Sequence, residues 1–180
     1  MLYMFFAQGF EEVEAIAALD VIRRADIEIK SVGVGSKTVC GSHGIPVVCD
    51  MTDDELVDFN GLEGVILPGG MPGTTNLYEN ETVNKYIDYC AENKLLLCAI
   101  CAAPLILGRK GLLIGKEAIC YPGFEDELKG AEIIEKFVCT SDNVITSKGM
   151  GSAVNFGLAI VSYFKGQAFA DNLKATLQCS

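Results

Sequence analysis

A single histidine, His43, stands among the 180 residues. A zinc site of the usual Cys/His composition needs more than that, and no second ligand pair has finger-like spacing. Positive charge is scarce as well. Fourteen Lys and Arg against 24 Asp and Glu leave a net charge of -10 and an isoelectric point near 4.5. So acidic a chain argues against general nucleic-acid binding and against docking on anionic membranes. Long hydrophobic runs are missing too. The longest, residues 95–107, is interrupted by Pro104 and falls short of the roughly 20 residues a bilayer requires. The mean hydropathy of +0.32 therefore points to a core, not a membrane span. No cation precedes Arg23, so the apolar N-terminus lacks the charged region of a secretory leader. Repeats and linkers are absent, and the chain reads as one domain, residues 1–180.

What is present is globular: 50% hydrophobic residues, 21% charged, 19 glycines. A chain of this length buries roughly 70% of its unfolded surface and needs no disulfide or metal staple. Eight cysteines stand at 40, 49, 90, 98, 101, 120, 139 and 179. Several lie inside apolar runs, where free Cys behaves as a small hydrophobe. The expectation is a cytoplasmic protein with reduced thiols.

Apolar runs at residues 2–7, 64–67 and 95–100 read as buried strands, with further strands at 27–34, 45–49 and 118–121. Ser141-Asp142-Asn143 between 137–140 and 144–147 is a hairpin signal. Helical spacing covers residues 11–24, 75–93, 101–109, 152–164 and 167–177, and a helical turn is expected at 124–129. Strands alternating with helices, several of them continuously apolar, indicate an α/β fold with a mostly parallel sheet covered on both faces. Ligand sites in such sheets lie beyond the carboxyl ends of the strands. Three of those ends carry chemistry: residues 9–14, 68–73 and 100–103.

Cys101 is the sharpest feature. A buried strand runs into it, a helix is expected to begin at once, and Ala99, Ala102 and Ala103 leave little bulk around it. A nucleophile elbow needs this tight strand-to-helix turn. A helix N-terminus beside the sulfur favours the thiolate. The alternative is a core cysteine at a strand end. Cys98 and Cys101 form a C-x-x-C, but three strand residues span about 10 Å and disulfide Cα atoms must lie within about 7 Å, so a redox pair is not expected. The Pro68-Gly69-Gly70-Met71-Pro72-Gly73 loop lacks the ending of a Walker loop; it is either a backbone donor site for an oxyanion or an ordinary turn. Glu11 and Glu12 read as surface acids complementing the dipole of the first helix. Glu14, about 200° around the helix from Glu12, can face inward. His43 reads as a surface turn residue between Gly41 and Gly44.

The segments "QGFEEVEAIAALDVIRRADI", "GVILPGGMPG", "AICAAP" and "ITSKGMGSAVNFGLAIV", in this order and spacing, resemble the DJ-one/ThiJ/PfpI superfamily over nearly the whole chain, most of all the branch of the parkinsonism-associated protein deglycase and its bacterial homologues. The resemblance implies a flavodoxin-like, class I glutamine-amidotransferase-like three-layer sandwich, usually a homodimer. It places the nucleophile on Cys101, the partner acid on Glu14 and backbone donors on Gly70, Ala102 and Gly69. Around the pocket it places Tyr121, Met150, Gly149, His43 and Arg24. Protease-like members follow the nucleophile with His; here Ala102 follows, which disfavours a cysteine peptidase or amidase. Tyr121 stands where the branch often has a pocket His, Ser42-His43-Gly44 replaces Ser-Arg-Gly, and Gly149-Met150-Gly151 replaces Gly-Pro-Gly. The implied activity is metal-free and cofactor-free conversion of α-oxoaldehydes such as methylglyoxal, free or added to protein groups, into 2-hydroxy acids such as lactate. The rival implied by the same resemblance is an oxidative-stress sensor or chaperone-like protein.

Overall fold

The structure, a computed structural model, describes residues 1–179. In chain order its regular elements are β1 (Leu2–Phe6), α1 (Glu12–Arg24), β2 (Ile29–Gly33), β3 (Thr38–Cys40), β4 (Pro46–Val48), β5 (Met51–Thr52), β6 (Gly64–Leu67), α2 (Gly73–Glu79), α3 (Glu81–Glu92), β7 (Leu96–Ile100), α4 (Pro104–Arg109), β8 (Glu117–Ala118), β9 (Glu132–Ile133), β10 (Val138–Ser141), β11 (Val144–Ser147), α5 (Ala153–Lys165) and α6 (Gln167–Thr176). The main sheet has the order β10-β11-β7-β6-β1-β2-β5. Every pairing in it is parallel except the β10–β11 hairpin.

Successive strand residues point to opposite faces, and here both faces are apolar. Leu2, Met4 and Phe6 of β1, with Cys98 and Ile100 of β7, pack against Ala18 and Ile22 of α1 and Phe156 and Ile160 of α5. Phe5, Leu97 and Ala99 point the other way, onto Val83, Tyr86 and Ile87 of α3 and Ile106 of α4. The result is the covered, mostly parallel sheet that the sequence pattern indicates and the flavodoxin-like sandwich that the resemblance implies. Cys98 is fully buried and unpaired in the first of these layers.

Four expectations need correction. The single helix expected over residues 75–93 is two, because Asn80 ends α2 and its side chain accepts the Val83 N–H at 2.8 Å to cap α3. The strand at 45–49 forms as β4, but it pairs with β3, where no strand was expected, as a hairpin apart from the main sheet, whose edge is β5. The strand at 118–121 shortens to β8, since the Tyr121 N–H is spent on the Cys101 carbonyl. The helix expected from residue 101 begins regularly only at Pro104, because Cys101 takes a φ of +64° and turns fill residues 101–103.

Candidate active site

β7, β6 and β1 lie side by side, so their carboxyl ends deliver Cys101, the 68–73 loop and the N-terminus of α1 to one place. At the last of these, the Glu11 carboxylate caps the helix by accepting the Glu14 N–H at 2.7 Å. That cap orients the first turn and sends Glu14 inward, where it is only 1% exposed. Glu14 Oε2 accepts the Gly69 N–H at 2.9 Å, and the Gly69 carbonyl accepts the Glu11 N–H at 2.9 Å. The Gly69 peptide is thus held on both sides by α1. A side chain at Gly69 would begin 2.6 Å from Cys101 Cβ and 2.7 Å from Glu14 Oε2. Its absence is what lets thiol and carboxyl face each other. Gly69 also departs from the donor role expected of it, because its N–H is already taken by Glu14.

Cys101 is a non-glycine residue in the left-handed region, a costly conformation that persists only where neighbours enforce it. Its N–H donates to the Ser147 carbonyl of β11 at 2.9 Å, and its carbonyl accepts the Tyr121 N–H at 2.7 Å. The backbone N–H groups of Gly70 and Ala102 are directed at the sulfur. The half-buried side chain is therefore fixed in direction as well as position.

Burial pushes the Glu14 carboxyl up to about 7; the Cys101 thiol and the Gly69 N–H pull it down, and the Glu11 charge adds to the rise. Burial and the Glu14 charge beside it push the Cys101 thiol up to about 12, against the Gly70 and Ala102 N–H groups. The expectation of a thiol held low by a helix N-terminus is corrected accordingly. The six-residue α4 starts three residues too late, and two N–H donors do not outweigh burial and a neighbouring carboxylate. The titrations belong to the pair: burial and their mutual charge hold the protons on, so that once the first has left, one proton remains on the pair. Glu14 Oε1 is buried without a hydrogen-bond partner, which leaves it free to hold or pass that proton.

Tyr121, Gly149 and Met150 come together beside this pair. A side chain at Gly149 would begin 3.3 Å from the Tyr121 ring and 3.9 Å from Glu14 Oε1. Ser152 Oγ braces the loop, donating to the Gly149 carbonyl at 2.7 Å and lying 2.7 Å from Ser147 Oγ. Two other expected pocket residues are elsewhere. Arg24 pairs with Asp20 at 2.6 Å on exposed surface, ten residues and about 15 Å of helix beyond Glu14. His43, 72% exposed, is tied to Glu12, on the side of α1 turned away from Glu14.

Glu12 is the residue that sequence reasoning missed. Instead of a surface acid it is 3% exposed. Its oxygens accept the His43 N–H at 2.7 Å, lie 2.9 Å from His43 Nδ1 and accept from Ser42 Oγ at 3.3 Å. Burial raises its pKa, but these hydrogen bonds prevail and bring it to about 2; in return Glu12 raises the His43 pKa. Among the described residues, Glu11, Glu12 and His43 bring possible ligand atoms within 4.8 Å of one another. The Glu12 oxygens are already occupied by donors, so the cluster serves as an anchor for the β3–β4 hairpin. The Ser-His-Gly turn between paired β strands was the available signal for it.

An α/β sandwich whose strained cysteine turn meets a buried carboxyl across a glycine defines a class of elbow-nucleophile proteins. Residues 1–163 match the DJ-1/PfpI family, and the chain belongs to it. It is 36% identical to "Protein DJ-1 homolog B" of Arabidopsis thaliana over 95% of its length, but spans only 40% of that relative. It is 29% identical to "Glutathione-independent glyoxalase DJR-1.2" of Caenorhabditis elegans, over 91% of this chain and 87% of that one. The solved structure of "Toxoplasma gondii DJ-1, oxidized" superposes with a TM-score of 0.94 at 29% identity, covering 99% of this chain and 98% of the other.

Proposed function

We propose that residues 1–180 act as one domain that converts α-oxoaldehydes to 2-hydroxy acids, with Cys101 as nucleophile and Glu14 as general acid/base. The observation that carries this reading is Glu14, buried across Gly69 from the Cys101 side chain with its Oε1 unpartnered. A relative named as a glutathione-independent glyoxalase supports it.

The Cys101 sulfur adds to the aldehyde carbon of R–CO–CHO. The aldehyde oxygen becomes an oxyanion, stabilised by the Gly70 and Ala102 N–H groups, and takes the shared proton to give a hemithioacetal. Glu14, now a carboxylate, removes the remaining hydrogen of that carbon as a proton, and the electron pair forms an enediol with the neighbouring carbonyl. Glu14 returns the proton to the neighbouring carbon, while the hydroxyl proton on the sulfur-bearing carbon passes to the neighbouring oxygen. The product is a thioester of a 2-hydroxy acid, which water cleaves to free acid and thiol. One carbon is oxidised and its neighbour reduced, so the sequence needs no external electron carrier. Lactate formed from methylglyoxal and lost in Cys101→Ser tests the reading, with peptide and glutamine substrates as controls for hydrolase activity. His43 offers little to a peptidase reading, because it is exposed and held by Glu12 on the side of α1 turned away from Glu14 and the thiol.

The second reading is a redox sensor. The partly exposed Cys101, with two N–H groups aimed at its sulfur, suits oxidation to a sulfinic acid. For a partner, a second copy fits the exposed Val13 and Ile16 of α1 together with Ile45 of the hairpin. Eight unpaired cysteines suit a cytoplasmic location, and no helix among the described residues is long and apolar enough to cross a membrane.

A further inference from the structure

Beside the Cys101–Glu14 pair lies a cleft that the chemistry above leaves unused. Tyr121 follows β8, Phe137 precedes β10 and Met150 follows β11. These three segments nevertheless bring large apolar side chains, 51%, 65% and 54% exposed, to the walls of one cleft of about 340 Å³, with Pro122 and Lys148 at its edge. Single exposed apolar residues are ordinary on a protein surface; several converging on one concavity mark a place where something apolar is received.

Gly149, which lines the cleft, stands between it and the pair. The space left by its missing side chain has the Tyr121 ring at 3.3 Å on one side and Glu14 Oε1 at 3.9 Å on the other. That oxygen is buried and has no partner. The Tyr121 backbone is hydrogen-bonded to the Cys101 carbonyl, so the two residues' main chains are held side by side. Ser152 holds the Gly149 end in place.

We propose that this cleft receives the substituent on the oxo carbon, so that the site selects aryl and bulky alkyl α-oxoaldehydes over methylglyoxal. The selection rests on the oxoaldehyde reading above. With the aldehyde carbon on Cys101, the oxo carbon must face Glu14 to be protonated by it. Its substituent then continues past Glu14, across Gly149. A methyl group stops at the near edge of the Tyr121 ring, whereas a phenyl group continues along that ring toward Met150 and Phe137.

Two measurements on the intact protein separate the cleft from the chemistry. One is kcat/KM for phenylglyoxal against methylglyoxal. The other is alkylation of Cys101 by N-benzyl iodoacetamide against iodoacetamide, each rate referenced to glutathione. A preference of about 10-fold or more for the aromatic member of each pair is expected. Met150→Asp and Phe137→Ser, both at exposed positions, should bring each preference down to within about twofold of unity. A wild-type alkylation preference near unity, or one that neither variant moves, overturns the subsite. An alkylation preference that Met150→Asp abolishes, without turnover of either aldehyde, supports the subsite and overturns the oxoaldehyde chemistry instead.

Discussion

Glu12 grips His43 by two atoms at once, one oxygen on the backbone N–H at 2.7 Å and the other on Nδ1 at 2.9 Å. The contact joins the first turn of α1 to the turn of the β3–β4 hairpin, 31 residues away in the chain. Gly41 makes it possible, because any side chain there would collide with the Glu12 carboxyl. Glu12→Ala leaves the His43 and Ile45 N–H groups without their acceptor and should cost roughly 1–3 kcal/mol. His43→Ala removes only an exposed ring and should cost less. Urea denaturation of both variants checks the order; equal losses would remove Glu12 as the anchor.

The pH dependence of turnover follows from the shared proton. A fully protonated pair contains no nucleophile, so kcat/KM should rise with pH through an apparent value near 7, where the first proton leaves. It should not fall again until the second leaves near 12. In Glu14→Gln the limb near 7 should vanish along with most turnover. A wild-type profile flat from pH 5 to 9 would contradict the pair.

Stability should carry the same signature with a definite sign. The Glu14 carboxyl is raised from 4.5 to about 7 in the folded chain. Its contribution is therefore fully present below 4.5 and is lost as pH rises through about 7. Glu14→Gln cannot ionise and escapes the loss. The variant should gain on the wild type between pH 4.5 and 7, by roughly 3 kcal/mol at most. Denaturation curves at pH 4 and pH 8 provide the test; a stability difference that stays the same at both would show that ionisation of Glu14 is not opposed by the fold.

Gly69→Ala should reduce kcat/KM by about 100-fold, since the new methyl must displace either the Cys101 side chain or the Glu14 carboxyl, and shifts of about 1 Å cost that much in a positioned site. Far-ultraviolet circular dichroism should stay native. Full activity in this variant would mean that direct contact across Gly69 is dispensable.

Ile16→Asp should leave a monomer of about 19 kDa in sedimentation at micromolar concentration, the mass of one chain being 19.3 kDa, whereas the wild type should sediment at about twice that. A monomeric wild type would remove the second copy as a partner.

The parts of this architecture legible in the sequence are those that one residue pattern dictates. The apolar runs ending in Leu67 and Ile100 are strands because buried parallel strands tolerate nothing polar. The small residues around Cys101 marked the elbow. Helix geometry allowed Glu14 to face inward, about 200° around from Glu12, but did not show that both are buried. What escaped is set by partners distant in sequence. Glu12 looks like any first-turn acid until His43 folds over it. Asn80 looks like a helix-interior residue until its side chain caps α3. The late start of α4 follows from the left-handed turn at Cys101, which its N–H bond to the Ser147 carbonyl and the Tyr121 N–H bond to its own carbonyl enforce. Phe137 became a cleft wall only once the β10–β11 hairpin stood beside β7.

The sheet also ends bluntly on both sides. On one flank its last strand, β5, has only two residues, too few to register a neighbouring chain. On the other flank β10 runs antiparallel and is braced by the Cys139 thiol donating to the Glu117 carbonyl of β8 at 3.4 Å. Open strand edges recruit other chains into growing assemblies, and brevity or cover is the usual protection. A chain whose central strands are almost wholly apolar thereby keeps its most aggregation-prone segments, β6 and β7, in the middle of the sheet, where no foreign strand reaches them while the fold holds.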